Sequence, residues 1–206
     1  MNSSSPIVHV VDDDDSVRTA VARLLRAAGY EVRAHASAGD FLLNRQPDCP
    51  GCVILDLRMP GPSGLDLQEA FVKSGDSIPI VFLSGHGDIP TSVRAIKAGA
   101  VDFLTKPVEK KALLSAVESA LARDEKSRSD RARLANLEAR YKSLTPRECE
   151  VFSRVTAGKL NKTIAVDLGI SERTVKAHRS IVMEKLSVQS VAELSRIAEQ
   201  LQPPSC

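Results

Sequence analysis

Through the first 121 residues, short β-branched runs alternate with segments whose apolar residues recur every three or four positions. The runs Ile7 to Val11, Glu31 to His35, Cys52 to Leu55, Ile80 to Leu83 and Asp102 to Thr105 predict strands. The segments between them, Ser16 to Ala28, Ala38 to Arg45, Gly64 to Ser74, Thr91 to Ala98 and Glu109 onward, predict helices. The first, third and fourth of these stop at Gly29, Gly75 and Gly99, the residue type that ends helices most readily. Strand and helix in strict alternation imply an α/β fold, a doubly wound five-stranded parallel sheet joined by right-handed crossovers. Such sheets bind ligands beyond the carboxyl ends of their strands.

After Leu121 the pattern changes. Residues 123 to 133 read Arg-Asp-Glu-Lys-Ser-Arg-Ser-Asp-Arg-Ala-Arg, and apolar spacing resumes at Leu134, Leu137 and Tyr141. Charges on every side leave no apolar face, which predicts a solvated linker helix over 122–142 between a domain of residues 1–121 and an all-α domain of residues 143–206. In the latter, Thr145-Pro146-Arg147-Glu148 reads as an N-cap, a proline at the first helical position and an acidic third position. A helix over Asn161 to Leu168, a glycine turn, a helix opening at Ser171-Glu172-Arg173-Thr174 and a last helix from Ser190 to Gln200 follow.

Composition sharpens this division. The chain has 206 residues, 43% of them hydrophobic, enough for a core in each domain. Its net charge of +2 hides an asymmetry: residues 1–121 carry 12 basic against 15 acidic side chains, residues 122–143 carry 7 against 4, and residues 144–206 carry 9 against 7. A basic end suits nucleic acid. No apolar run approaches the roughly 18 to 20 residues of a spanning helix, and the N-terminus has no basic leader, so a cytoplasmic protein without membrane contact is expected. Cys49 and Cys52 frame a Cys-Pro-Gly-Cys string, but no second ligand pair lies at zinc spacing and a redox site of this type opens a helix, so the string reads as a turn before a strand. His9, His35, His86 and His178 form no catalytic or ligand spacing.

The strand ends carry the chemistry. Asp12 and Asp13 follow the first strand, Asp56 the third, Ser84 the fourth and Lys106 the fifth, so all converge on one rim of the sheet. Carboxylates crowded there repel unless a cation joins them, and oxygen ligands with room for water suit Mg²⁺. Asp56 is then a nucleophile for an acyl phosphate, with Lys106 neutralising phosphoryl oxygens and Ser84 donating a hydrogen bond. A calcium loop of the EF-hand type is excluded because Val17 and Arg23 stand where glycine and glutamate are needed. A haloacid-dehalogenase-like phosphatase would want an aspartate where Arg58 stands.

In the C-terminal domain, Ile164, Ala165 and Leu168 turn inward on one helix and Val175, Val182 and Leu186 on the next. The opposite face of the second helix collects Arg173, Lys176, Ala177, Ser180 and Glu184, a surface suited to the major groove. Lys159, Lys162, Thr163, Arg173, Thr174, Arg179 and Lys185 are candidates for phosphate contacts around it. Lys176, Ala177 and Ser180 are candidates for base edges.

Val-Val-Asp-Asp, Leu-Asp-Leu-Arg-Met-Pro-Gly, Leu-Ser-Gly-His-Gly-Asp and Ala-Gly-Ala-Val-Asp-Phe-Leu-Thr-Lys-Pro resemble, in order and spacing, the receiver domain of bacterial response regulators, over residues 5 to 121. Leu-Thr-Pro-Arg-Glu-Cys-Glu-Val, Asn-Lys-Thr-Ile-Ala and Ser-Glu-Arg-Thr-Val-Lys-Ala-His resemble the LuxR-type helix-turn-helix over residues 143 to 200. Together they resemble the NarL/FixJ subfamily in its FixJ-like branch, and within it regulators of aromatic-hydrocarbon degradation such as those responding to styrene. The resemblance implies a flavodoxin- or CheY-like receiver and a transcription factor rather than an enzyme. It makes Asp56 the phosphoacceptor for a sensor histidine kinase, and it assigns Asp12, Asp13, Asp56 and the Arg58 backbone carbonyl to Mg²⁺, with Mn²⁺ or Ca²⁺ able to substitute. It places a cis Pro107 after Lys106 and makes Ser84 and Phe103 a switch pair. It further implies that phosphorylation releases a restraint on the output domain and drives homodimerisation through the fourth helix, fifth strand and fifth helix, with Arg94, Lys97 and Asp102 pairing across the axis. Double-stranded promoter DNA and RNA polymerase are the implied partners. The other reading is a phosphorylation-independent DNA-binding regulator whose receiver serves as a protein-interaction module.

Overall fold

The computed structural model describes residues 5–46, 48–85 and 89–201. His86 and residues 202–206 of the expected C-terminal domain lie outside them. Two compact units, Met1–Arg128 and Ser129–Cys206, make up the chain.

In the first unit, β1 (Ile7–Val11), β2 (Glu31–His35), β3 (Gly51–Asp56), β4 (Ile80–Ser84) and β5 (Asp102–Thr105) form a parallel sheet in the order β2-β1-β3-β4-β5. Between them run α1 (Asp15–Ala27), α2 (Ala38–Asn44), α3 (Gly64–Ser74) and α4 (Ile89–Lys97), and α5 (Lys110–Lys142) follows β5. Alternate strand residues feed two cores. Val8, Val10, Ile54, Val81 and Leu83 pack with Val21 and Leu25 of α1 and Leu113 and Val117 of α5. Val11, Val53, Leu55 and Phe82 pack with Phe41 of α2, Leu67 and Phe71 of α3 and Ala95 of α4. Because β1 lies between β2 and β3, the chain changes winding direction there, and the crevice of a doubly wound sheet opens beside the ends of β1 and β3.

Local sequence sets what borders that crevice. The Asp14 carboxylate caps α1, accepting from Ser16 N at 2.9 Å and Val17 N at 3.2 Å. At Gly64, a Cβ would sit 2.4 Å from the Asp56 carbonyl oxygen and 2.9 Å from the Phe82 ring. Only glycine lets α3 start this close to the end of β3.

The first unit extends further along α5 than the sequence reading expected. Asp124 is buried, its carboxylate accepting from Gly51 N at 2.9 Å and pairing with Arg128 Nε at 2.8 Å. Arg128 in turn donates to the carbonyls of Asp48 at 2.7 Å and Cys49 at 2.5 Å. Asp124 and Arg128 are therefore not free solvated charges; they clasp the loop that leads into β3, while Ala122, Arg123, Glu125 and Lys126 beside them are exposed. Cys52 lies buried in that strand with its thiol pushed up to about 12 by burial and by Asp124, and it forms no disulfide with Cys49.

In the second unit, α6 (Pro146–Thr156), α7 (Asn161–Leu168), α8 (Glu172–Leu186) and α9 (Val191–Leu201) enclose one core of Val151, Phe152, Ile164, Val175, Val182, Leu186 and Leu194. Leu137 and Tyr141 of α5 pack against it. Thr145 and Glu148 form a reciprocal capping box at the start of α6. Gly169, in the left-handed region at φ 64°, makes the turn from α7 to α8.

Candidate functional site

Four strands deliver polar residues to one rim. Asp12 follows β1, Asp56 ends β3, Ser84 ends β4 and Lys106 follows β5, and with Asp14, Val17, Arg58 and Gly85 the last three line an open cleft of about 290 Å³. Asp12, Asp56 and Ser84 are buried, whereas Asp13 is exposed. One carboxylate oxygen from each of Asp12, Asp13 and Asp56 lies within 4.8 Å of the others. Lys106 Nζ pairs with Asp12 Oδ2 at 2.6 Å and Asp56 Oδ1 at 3.4 Å, and the Lys106–Pro107 peptide bond is cis.

The charges do not balance. Three carboxylates meet one paired ammonium among the described residues. Burial raises the Asp56 carboxyl above the ordinary range, the Lys106 charge opposing this and Asp12 reinforcing it, while the Arg58 backbone N–H donates to the carboxylate. Burial works against the Lys106 charge, but its bonds to Asp12 and its field from Asp56 outweigh it and raise the ammonium's pKa. An all-oxygen donor set two charges short of neutrality suits a hard divalent cation that keeps several waters.

Phe103 is half-buried, its ring 6.1 Å from that of Phe82 and packed against the α2–α3–α4 core. On α4, Ile89, Val93 and Ile96 are exposed. Of the residues expected to pair across a dimer axis, Arg94 meets Glu69 at 3.2 Å and Asp102 accepts from Phe103 N at 2.8 Å within this chain. One residue that periodicity did not single out sits at the rim: Arg18 of α1 donates to the carbonyls of Asp12 at 2.7 Å and Asp13 at 3.4 Å.

In the second unit, α7 and α8 form the helix-turn-helix pair. Arg173, Lys176, Ala177, Ser180 and Glu184 are exposed on α8, and Lys162 and Thr163 are exposed at the start of α7. The other candidates are engaged. Arg179 donates to Asn161 Oδ1 at 2.6 Å, the Thr174 hydroxyl meets that of Ser171 at 2.8 Å, and Lys159 pairs with Asp167 at 2.7 Å. Lys185 pairs with buried Glu148 at 2.7 Å and donates to the Ser143 carbonyl at 3.2 Å. Sequence spacing shows which face a lysine shares but not which acceptor it meets.

Residues 8–118 match the family described as "Response regulator receiver domain", and residues 142–198 match "Bacterial regulatory proteins, luxR family". The chain belongs to the response regulators. Over 201 residues the regulator is 45% identical to the response regulator protein TodT of Pseudomonas putida, covering 98% of this chain and 88% of TodT. It is 44% identical over 192 residues to the transcriptional regulatory protein FixJ of Azorhizobium caulinodans, covering 93% and 90% of the two chains. The solved structure of the response regulator StyR is similar at 49% identity and a TM-score of 0.84, covering 96% of this chain and 100% of that one. The regulator thus joins a CheY-like receiver to a LuxR-type DNA-binding domain and acts in transcription regulation rather than as an enzyme of the ordinary kind. Kinase phosphorylation and DNA binding follow from that pairing, and the aspartate cluster is of the kind at which receivers bind Mg²⁺. Among the described residues, no helix is long and apolar enough to cross a membrane.

Proposed function

We propose that Asp56 accepts a phosphoryl group from a sensor histidine kinase and that this modification promotes dimerisation and sequence-specific binding to promoter DNA. The observation that carries the reading is the convergence of Asp12, Asp13 and Asp56 with a single lysine shared between two of them. Mg²⁺, or Mn²⁺ or Ca²⁺ in its place, would be held by the three carboxylates and the Arg58 carbonyl, and when bound it supplies charge neutralisation for the incoming phosphoryl oxygens.

The chain's own residues do the rest. Asp56 supplies the attacking carboxylate oxygen, and the phosphorus–nitrogen bond of the donor breaks as the acyl phosphate forms. Lys106 moves from its carboxylate partners to a phosphoryl oxygen, and the Ser84 hydroxyl donates to another. Phe103 turns into the space Ser84 leaves, changing the surface of α4, β5 and α5 through which two receivers pair. In the output domain, Lys176, Ala177 and Ser180 read base edges while Lys162, Thr163, Arg173 and Thr174 contact phosphates. Arg179 joins them by exchanging Asn161 for a phosphate. RNA polymerase is the partner at the promoter.

Incubation with acetyl phosphate and Mg²⁺ labels the parent chain and leaves Asp56→Asn unlabelled. A labelled Asp56→Asn chain overturns the assignment of the acceptor.

A further inference from the structure

Arg18 stands outside every role assigned above. Its side chain is 16% exposed, and it engages three acceptors in the turn that carries Asp12 and Asp13. One guanidinium nitrogen donates to the Asp12 carbonyl at 2.7 Å and the Asp13 carbonyl at 3.4 Å, and the other meets Asp15 Oδ1 at 2.5 Å. Asp12 is also held through its own amide, which donates to the His35 carbonyl at the end of β2 at 3.2 Å. Asp12 is thus tied on its N–H side to the sheet and on its carbonyl side to α1.

We propose that Arg18 is a positioning residue for the cation site, its guanidinium clamping the Asp12–Asp13 peptide so that both carboxylates converge with that of Asp56. The inference rests on the reading of these three aspartates as Mg²⁺ ligands. Mg²⁺ demands near-ideal octahedral geometry and tolerates little ligand displacement, so the orientation of the peptide linking two of its ligands matters. Asp13 is the vulnerable member: it is exposed, whereas Asp12 is buried and held at both carboxylate oxygens, by Asp14 N at 3.0 Å and by Lys106. A planar guanidinium can address two carbonyls and a carboxylate together; an ammonium is a point donor without that fork.

Charge and positioning predict opposite outcomes. A cationic side chain near a cation site weakens binding by repulsion, so if charge dominated, removing Arg18 would tighten Mg²⁺. A clamp predicts weaker binding.

Calorimetric titration of the full chain with MgCl₂ separates them. Arg18→Ala is expected to bind Mg²⁺ about tenfold more weakly than the parent, with Arg18→Lys in between. At saturating Mg²⁺ the rate of phosphorylation by acetyl phosphate should return toward the parent value, as it would not if Asp56 chemistry itself were damaged. Unchanged or tighter binding by a folded Arg18→Ala overturns the proposal. Should Arg18→Ala unfold, Arg18→Lys decides, since it keeps the positive charge and loses only the planar fork. There a weakening of about two- to threefold is expected, and unchanged affinity overturns the clamp. A flat titration of the parent chain overturns the Mg²⁺ reading and the clamp with it, an outcome distinct from a parent that binds and a variant that binds equally well.

Discussion

Each unit holds a buried carboxylate against a lysine, and the two pairs are built to different ends. In the output unit, Glu148 Oε2 takes Thr145 N at 2.8 Å and Lys185 Nζ at 2.7 Å. Burial alone would raise its carboxyl, but the bonds from Lys185 and Thr145 outweigh it and hold the carboxyl below the usual range. The charge is answered within the protein, and the pair joins the start of α6 to the end of α8. In the receiver, Lys106 divides between Asp12 and Asp56 with Asp13 nearby, and Asp56 is left above the usual range. A satisfied buried pair is architecture; one left short of positive charge is what the proposed cation and phosphoryl chemistry would use.

The largest contrast should come from removing each lysine. Lys106→Ala is expected to slow acyl phosphate formation from acetyl phosphate about 100-fold, measured as initial labelling rate at saturating Mg²⁺, whereas Lys185→Ala should label at the parent rate. Next in size is the clasp in the first unit. Asp124→Ala leaves the Gly51 N–H and the Arg128 guanidinium without their carboxylate and should cost the receiver about 3 kcal/mol in urea unfolding. By the same measurement Lys185→Ala should cost the output unit about 1–2 kcal/mol, less because Lys185 is one-third exposed.

The smallest effect is in pH dependence. In the receiver, burial and the neighbouring His35 lower His9 from 6.5 to about 4, and burial lowers His35 as well. Their rings stack with centroids 5.2 Å apart, Nδ1 to Nε2 at 3.0 Å. The unfolded chain therefore binds protons first: stability is complete above about pH 6.5 and is lost as pH falls through about 4. In the output unit the lowered groups are Glu148, Glu193 and Asp167, whose contributions are present above the ordinary values of 4.5 for glutamate and 3.8 for aspartate and decline only below them. Unfolding followed by tyrosine fluorescence and backbone amide signals from pH 7 to 4 should show the receiver weakening first, and His9→Leu should flatten its curve. Simultaneous weakening of the two units would remove this contrast.

The sequence disclosed what depends on chain-local pattern. Alternating runs gave every strand to within one residue at either end, and polar residues at strand ends gave the acidic cluster, because a parallel sheet necessarily gathers the ends of its strands. It concealed contacts made to backbone. Asp124 and Arg128 read as solvated charges because their acceptors and donor are main-chain groups of residues 48–51, more than 70 positions away, and no side-chain pattern announces them. Arg18 was silent for the same reason. The bond from Lys185, a candidate phosphate contact by its position, to buried Glu148 was likewise hidden, because a basic residue on an amphipathic helix looks alike whether it points to solvent or to a buried glutamate.

The central claim is that the unbalanced cluster at Asp56 governs the output domain. Its most direct test is the affinity of the full chain for a genomic fragment recovered by selection of bound DNA, measured with and without acetyl phosphate and Mg²⁺ for the parent and for Asp56→Asn. The parent should bind at least about fivefold more tightly with the donor, and Asp56→Asn should show no change. Equal affinity of the parent in both conditions, with Asp56 labelled, would contradict the account and leave a DNA-binding regulator whose receiver serves as a protein-interaction module.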